Sequence, residues 1–229
     1  MREKKQKKTV ENSQRQKFGK ELNFASIEAY NLLRTNLSFS LPDKVGGKTI
    51  GITSPCPQEG KSTTSLNLAY SLAEAGNKVL LVDADLRRPS LANIIETSML
   101  PGLSNLLIDN STEGAVREGL LHENLSVLPA GDIPPNPSEL IGSDRMRQLI
   151  ENFETCFDHI ILDLPPVNSV SDPLAVSKHI DGMIIVVRHG QTKRREITET
   201  IRQLELVNAK IFGFVYNGYH KTKAGYKRK

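Results

Sequence analysis

The most constraining feature of the sequence is a short strand-like run at residues 49–53. It passes through Ser54-Pro55-Cys56-Pro57-Gln58-Glu59-Gly60-Lys61-Ser62-Thr63 straight into a helical pattern. A loop joining strand to helix in this way turns its backbone N–H groups inward as an anion nest, and the helix adds its positive dipole end. Gly60 lets the backbone approach an anion closely. Lys61 reaches the β- and γ-phosphates as a point charge, and the Ser62 hydroxyl suits one position on Mg²⁺. Pro57, Gln58, Glu59 and Thr63 complete the cradle. The alternative is a proline-rich turn that happens to contain Gly-Lys-Ser, but the flanking strand and helix favour a phosphate site. Pro55 stands where the usual spacing has its first glycine, so a strict pattern passes this loop over. Cys56 reads as a bystander inside it.

Beyond this loop, short aliphatic runs alternate with helical stretches, the pattern of a parallel sheet covered by helices on both faces. Strands are expected at 49–53, 78–83, 125–129, 159–163, 183–187 and 211–216. Helices are expected at 62–75, closed by Gly76, at 137–153, and at 192–207, where Ile197, Ile201, Leu204 and Val207 share a face. Ahead of the sheet, residues 26–39 place Ile27, Tyr30, Leu33 and Leu37 on one helical face, with Leu32 slightly off register. At 229 residues the chain suffices for one sizeable core. The expectation is a single α/β domain with the phosphate-loop NTPase fold over 26–217. A basic N-terminal arm (1–25) and a basic, tyrosine-containing tail (218–229) flank it.

Two of the strands end in acid. Val79-Leu80-Leu81-Val82 runs into Asp83-Ala84-Asp85-Leu86-Arg87, and Ile160-Ile161-Leu162 runs into Asp163-Leu164-Pro165-Pro166. In an open parallel sheet, ligands sit beyond the carboxyl ends of the strands, so all three aspartates converge on the site the loop prepares. Carboxylate oxygens are what Mg²⁺ prefers, and a phosphoryl acceptor needs a group to orient or deprotonate its hydroxyl. A single aspartate there reads as a cap of the next helix. Two acidic strand ends joined to a phosphate loop read as an active site.

Composition narrows the classes. No apolar run approaches the ~20 residues of a membrane-spanning helix, and the lysine-rich start precedes no signal-type apolar segment, so a cytoplasmic protein is expected. Cys56 and Cys156 have no metal-ligand spacing. The net charge of +4 is concentrated in the ends, Lys4 to Lys20 and Lys221 to Lys229, which reads as solvated tails rather than a nucleic-acid surface. A weaker reading is attraction to an anionic membrane face.

With these motifs assembled, the chain resembles the bacterial tyrosine kinases of capsule and exopolysaccharide synthesis, from about Ser26 to the C-terminus. Asp83, Asp85 and Arg87 match that family's Asp-x-Asp-x-Arg, and Asp163 to Pro166 its Asp-x-Pro-Pro. The run Gly131 to Leu140 matches a further signature. The resemblance implies ATP and Mg²⁺, with Asp83 as base for the incoming tyrosine and Asp85, Asp163 and Ser62 holding the metal. Lys61 would stabilise the transferred phosphoryl. Asn217 looks like the base-contacting asparagine of related ATPases, or equally a turn residue.

It also implies autophosphorylation between subunits on tail tyrosines, here Tyr216, Tyr219 and Tyr226, with Tyr216 expected to be buried at the strand end. Further implications are a membrane-embedded activator with a cytoplasmic segment, recruitment to the inner membrane face, and sugar-handling enzymes among the substrates. The family's ring contact Glu-x-x-Arg-x-x-Arg is represented by Glu28 and Arg34, with Asn31 replacing the first arginine. Two other readings compete. One is an ATPase switch of the chromosome-partitioning and division-site group, which carries a second lysine where Cys56 stands. The other is a non-enzymatic adaptor at a membrane surface.

Overall fold

Alternation of side chains along the aliphatic runs decides how the sheet is covered. A computed structural model describes residues 18–109 and 113–219. Most of the basic arm, the lysines of the tail and Tyr226 lie outside the described residues. Strands β1 (Lys48–Thr53), β2 (Val79–Asp83), β3 (Arg117–His122), β4 (Leu125–Leu128), β5 (His159–Asp163), β6 (Gly182–Arg188) and β7 (Ile211–Asn217) form one sheet. Its order is β3-β4-β2-β5-β1-β6-β7.

Ile50, Ile52, Val79, Leu81, Ile161 and Ile184 face one side. There they pack beneath Leu66, Ala69, Leu72 and Ala73 of α2 (Lys61–Glu74) and Leu37 of α1 (Phe24–Ser40). The intervening Leu80, Val82, Ile160, Leu162, Met183 and Ile185 face the other side. Strands buried on both faces must be apolar at every position, which is why the text shows unbroken aliphatic runs rather than alternation.

The second face is covered by shorter pieces. After α3 (Leu91–Ile94), which follows β2, come α4 (Leu103–Ile108), α5 (Pro137–Ile141), α6 (Asp144–Cys156), α7 (Asp172–Val176) and α8 (Arg194–Leu206). Leu103, Leu107, Ile141, Met146, Ile150 and Leu204 supply its core contacts.

Three sequence expectations are corrected. The sheet is not wholly parallel, because β3 pairs antiparallel with β4 as an edge strand. Its Glu118, Gly119 and Leu120 are exposed and carry no clear period. The helix expected at 137–153 is two helices. Gly142 ends α5, and the Ser143 hydroxyl accepts from the Met146 N–H at 3.2 Å as the cap of α6. Tyr216, expected to be buried, is 56% exposed on the edge strand β7.

The first helix begins under an Asn23 cap, and packing extends back to Phe18 and to Gly19, whose N–H donates to Asn67 Oδ1 at 3.0 Å. Leu32, the off-register residue of the expected face, is exposed.

Candidate active site

The phosphate loop spans the carboxyl end of β1 and the start of α2. Gly60 caps α2 with φ +94°, a left-handed conformation that strains any residue bearing a Cβ. A Cβ there would also meet Asn217 Nδ2 at 2.1 Å. Side chains from distant elements brace the loop. Glu59 is fully buried and accepts from the Cys56 N–H at 2.9 Å and from the Thr192 hydroxyl. Arg188 Nη1 donates to the Gln58 carbonyl at 2.8 Å, and Asn217 Nδ2 to the Glu59 carbonyl at 2.9 Å. Asn217 thus acts on the loop from the end of β7, beside the cleft it was expected to serve through the base. Thr192 and Arg188 carried no signal of their own in the sequence.

The loop opens into a cleft of about 1180 Å³, whose walls include Gln58, Lys61, Ser62, Asp85, Arg87 and Asn217. Lys61 Nζ lies 3.0 Å from Asp85 Oδ2, 3.8 Å from Asp163 Oδ1 and 3.4 Å from Ser62 Oγ. Burial alone would lower the Lys61 pKa, but the carboxylates of Asp163 and Asp85 outweigh it and hold the ammonium charged.

Asp83 and Asp163 do not line the cleft; both are without exposed surface, with Asp163 Oδ1 3.8 Å from Lys61 Nζ. Asp83 Oδ2 accepts the N–H groups of Ser90 and Leu91, each at 3.0 Å, so it does cap the following segment. Its Oδ1 is buried without a hydrogen-bond partner, as is Asp163 Oδ2. Asp163 Oδ1 accepts from Ser65 Oγ at 3.1 Å. Burial, joined by the charge of Asp163, pushes the Asp83 carboxyl up to about 7, and burial also raises Asp163. Ser90 Oγ donates to Ser62 Oγ at 2.9 Å, joining two residues of the cleft wall.

The buried, unpartnered Asp163 Oδ2, with Asp85 and Ser62 gathered on the same lysine, suits a hard divalent cation. Among the described residues no group of three or more His, Cys, Asp or Glu forms a metal cage. Mg²⁺ takes one or two carboxylates and completes its shell with water and phosphate oxygens.

The family model of the AAA domain matches residues 47–212. Tyrosine-protein kinase YwqD of Bacillus subtilis is 36% identical over 196 residues, covering 86% of this chain and 82% of YwqD. Tyrosine-protein kinase ptk of Acinetobacter johnsonii is 35% identical over 201 residues, covering 88% of this chain and 27% of that longer protein. The chain belongs to the bacterial tyrosine-protein kinases.

The solved kinase domain of the Escherichia coli tyrosine kinase ETK superposes with a TM-score of 0.80 at 33% identity, covering 89% of this chain and 80% of that one. The septum site-determining protein MinD of Pyrococcus horikoshii, solved with Mg-ADP, shares the fold at a TM-score of 0.63 and 24% identity, covering 77% and 72%. The kinase assignment is therefore favoured over the division-site switch, which this chain matches in fold alone.

In this kinase Gly218, just after β7, lines the cleft. Tyr219 is 55% exposed and packs on His189 and Tyr216, with ring centroids 5.4 Å and 5.8 Å away. His189 Nδ1 is also hydrogen-bonded to the Tyr216 hydroxyl. Of the expected ring contacts, Glu28 is exposed and accepts from Asn31 Nδ2 at 3.2 Å. Arg34 is turned onto α2, where its Nη1 donates to the Ser71 carbonyl. No helix among the described residues is long and apolar enough to cross a membrane.

Proposed function

We propose that this chain transfers the γ-phosphoryl of ATP to tyrosine hydroxyls, with Mg²⁺, and serves capsule or exopolysaccharide synthesis. The observation that carries this reading lies next to the cleft, where Asp83 Oδ1 and Asp163 Oδ2 are buried without partners and Asp163 Oδ1 stands 3.8 Å from Lys61 Nζ. Asp85, Asp163 and Ser62 would hold Mg²⁺, which would supply neutralisation of phosphate charge. The protein contributes position and field.

Incoming phosphates compete with Asp85 for Lys61, and Asp85 so released would be free to hold the cation with Asp163 and Ser62. Asp83 takes the proton of the tyrosine hydroxyl as its oxygen bonds to the γ-phosphorus. The bond from that phosphorus to the bridging oxygen breaks, and ADP departs with the electron pair. The raised pKa of Asp83 suits a base working near neutral pH. Asn217 and the loop amides orient the nucleotide.

Tyr219 and Tyr226 are the proposed autophosphorylation sites, with Tyr216 beside them, and modification occurs between subunits. Glu28 and Arg34 contribute to a homo-oligomeric ring, and a membrane-embedded activator brings the kinase to the inner membrane face. The test mixes Lys61→Ala protein with active enzyme lacking residues 218–229. Phosphate on Tyr219 or Tyr226 of the inactive chain is the expected result. Its absence, with activity on another tyrosine substrate demonstrated, rules out transfer to the tail.

A further inference from the structure

Outside the phosphate loop and the acidic strand ends, one carboxylate is engaged in a way that none of those motifs requires. Asp172, at the start of α7, has no exposed surface. Both of its oxygens receive the Arg87 guanidinium, Nε to Oδ2 at 2.9 Å and Nη2 to Oδ1 at 3.0 Å. Ser138 of α5 joins them: its hydroxyl accepts from Arg87 Nη2 at 2.9 Å and donates to Asp172 Oδ1. Arg87 belongs to the loop that follows Asp83 and Asp85, whereas Asp172 lies downstream of Asp163. The clamp therefore cross-links the two segments that carry the acids of the site.

We propose that Asp172 is a positioning residue for phosphoryl transfer, holding the Asp83–Asp85 loop against the Asp163 segment through Arg87 and so fixing the metal-holding carboxylates relative to Lys61. This inference rests on the kinase reading. A buried ion pair is seldom a better source of stability than an apolar pair of similar volume. What a two-point guanidinium–carboxylate fork supplies is direction. Leu86, buried in the core, fixes the depth of the loop but not its rotation.

Rotation is what the site needs. Next to Arg87, the Arg88 N–H donates to Asp85 Oδ1 at 3.0 Å, while Asp85 Oδ2 faces Lys61. Further on, Ser90 reaches both Asp83 and Ser62. Release of Arg87 disturbs all four contacts together. The signature from Gly131 to Leu140 thereby gains a mechanical role, since it delivers Ser138 to the clamp.

The test titrates fluorescent ADP into full-length Asp172→Asn at a series of Mg²⁺ concentrations, alongside thermal unfolding and phosphotyrosine formation. The Mg²⁺ needed for half-maximal nucleotide binding should rise, and transfer should fall, by about 10- to 100-fold, the scale for outer-shell partners of metal sites. ADP affinity without Mg²⁺ should not change. Arg87→Lys keeps the charge but loses the fork, and should behave alike. The Arg87→Ala/Asp172→Ala pair should be no worse than Arg87→Ala alone. A lowered melting temperature with an unaltered Mg²⁺ requirement in both single variants would overturn the proposal. Should Asp172→Asn not fold, Ser138→Ala takes its place with the same readout at smaller amplitude, and a wild-type Mg²⁺ response there and in Arg87→Lys overturns the proposal equally. Wild-type protein that binds Mg-ADP but forms no phosphotyrosine, with the cytoplasmic segments of candidate activators present, sinks the kinase reading, and the Mg²⁺ shift then decides the clamp alone.

Discussion

Lys44 and Lys61 lie toward opposite ends of β1, and each faces two carboxylates. Lys44 Nζ lies 2.9 Å from Glu154 and 2.8 Å from Asp181. The same carboxylates are also used by Thr49: Asp181 Oδ2 accepts its N–H at 2.8 Å, and Glu154 Oε1 its hydroxyl at 2.6 Å. The members of that cluster are partnered with one another and partly open to solvent, with 31% of the Lys44 side chain exposed. At the carboxyl end, Lys61 is 11% exposed and Asp163 fully buried, yet buried oxygens of Asp83 and Asp163 stay unpartnered. Charges of the same kind are saturated at one end and left unsatisfied at the other. Buried carboxyl oxygens without partners mark a candidate ligand site, and that is what separates the second cluster from the first.

The largest expected difference comes from removing each lysine in turn. Lys61→Ala takes away the charge that faces the phosphates, and tyrosine phosphorylation should drop by about 10³-fold or more while the protein stays folded. Lys44→Ala should leave phosphorylation within about twofold and lower stability by about 1 kcal/mol, read by denaturant titration. Equal losses of activity in the two variants would erase the distinction between the ends.

Asp83→Asn sharpens the comparison within the functional cluster. Nucleotide binding should persist and transfer should fall by about 10²- to 10⁴-fold, the range of a positioned general base. In wild type, transfer should climb as pH rises through about 7, where Asp83 gives up its proton. A pH profile already flat by pH 5 would remove Asp83 from that role.

A smaller effect concerns stability without nucleotide. Folded Asp83 keeps its proton up to about 7 against the ordinary 3.8, so its contribution is present below the lower value and lost as pH rises through the upper one. Asp83→Asn carries no such loss. Its stability relative to wild type should therefore increase between those pH values, and a constant difference across the window would contradict the buried, raised carboxyl.

The smallest effect expected is at Asn217, whose amide holds the Glu59 carbonyl. Asn217→Ala should weaken ADP binding by about 1 kcal/mol, roughly fivefold, as one hydrogen bond to the loop is lost. Unchanged affinity would mean that Arg188 and Thr192 suffice to brace it.

What could be read in advance follows from the range of each interaction. The phosphate loop, the central strands and the acidic strand ends are local patterns, each written within about ten consecutive residues, and the structure places them together. The bracing of Glu59 by Thr192, of Gln58 by Arg188 and of Arg87 by Asp172 joins residues far apart in the chain, and nothing in the neighbourhood of Thr192 or Asp172 announces a partner. The edge strand β3 was illegible for a different reason. With three successive residues exposed and a glycine among them, it needs no aliphatic run. The break between α5 and α6 stood in the text as Gly142-Ser143, an end followed by a cap, but the flanking apolar residues masked it. Asp83 showed both of its readings at once, as a helix cap through Oδ2 and as an unsatisfied acid through Oδ1.

The central claim is that the unsatisfied cluster at the carboxyl end of the sheet moves a phosphoryl group onto tyrosine. Its most direct test is mass-spectrometric mapping of phosphotyrosine after incubation with ATP and Mg²⁺, run with the cytoplasmic segments of candidate membrane activators present. Phosphotyrosine in wild type and in Lys44→Ala, but not in Lys61→Ala or Asp83→Asn, is the predicted result. ATP hydrolysed by wild type through Lys61, with no phosphotyrosine formed under any of these conditions, would contradict it and leave a nucleotide switch in its place.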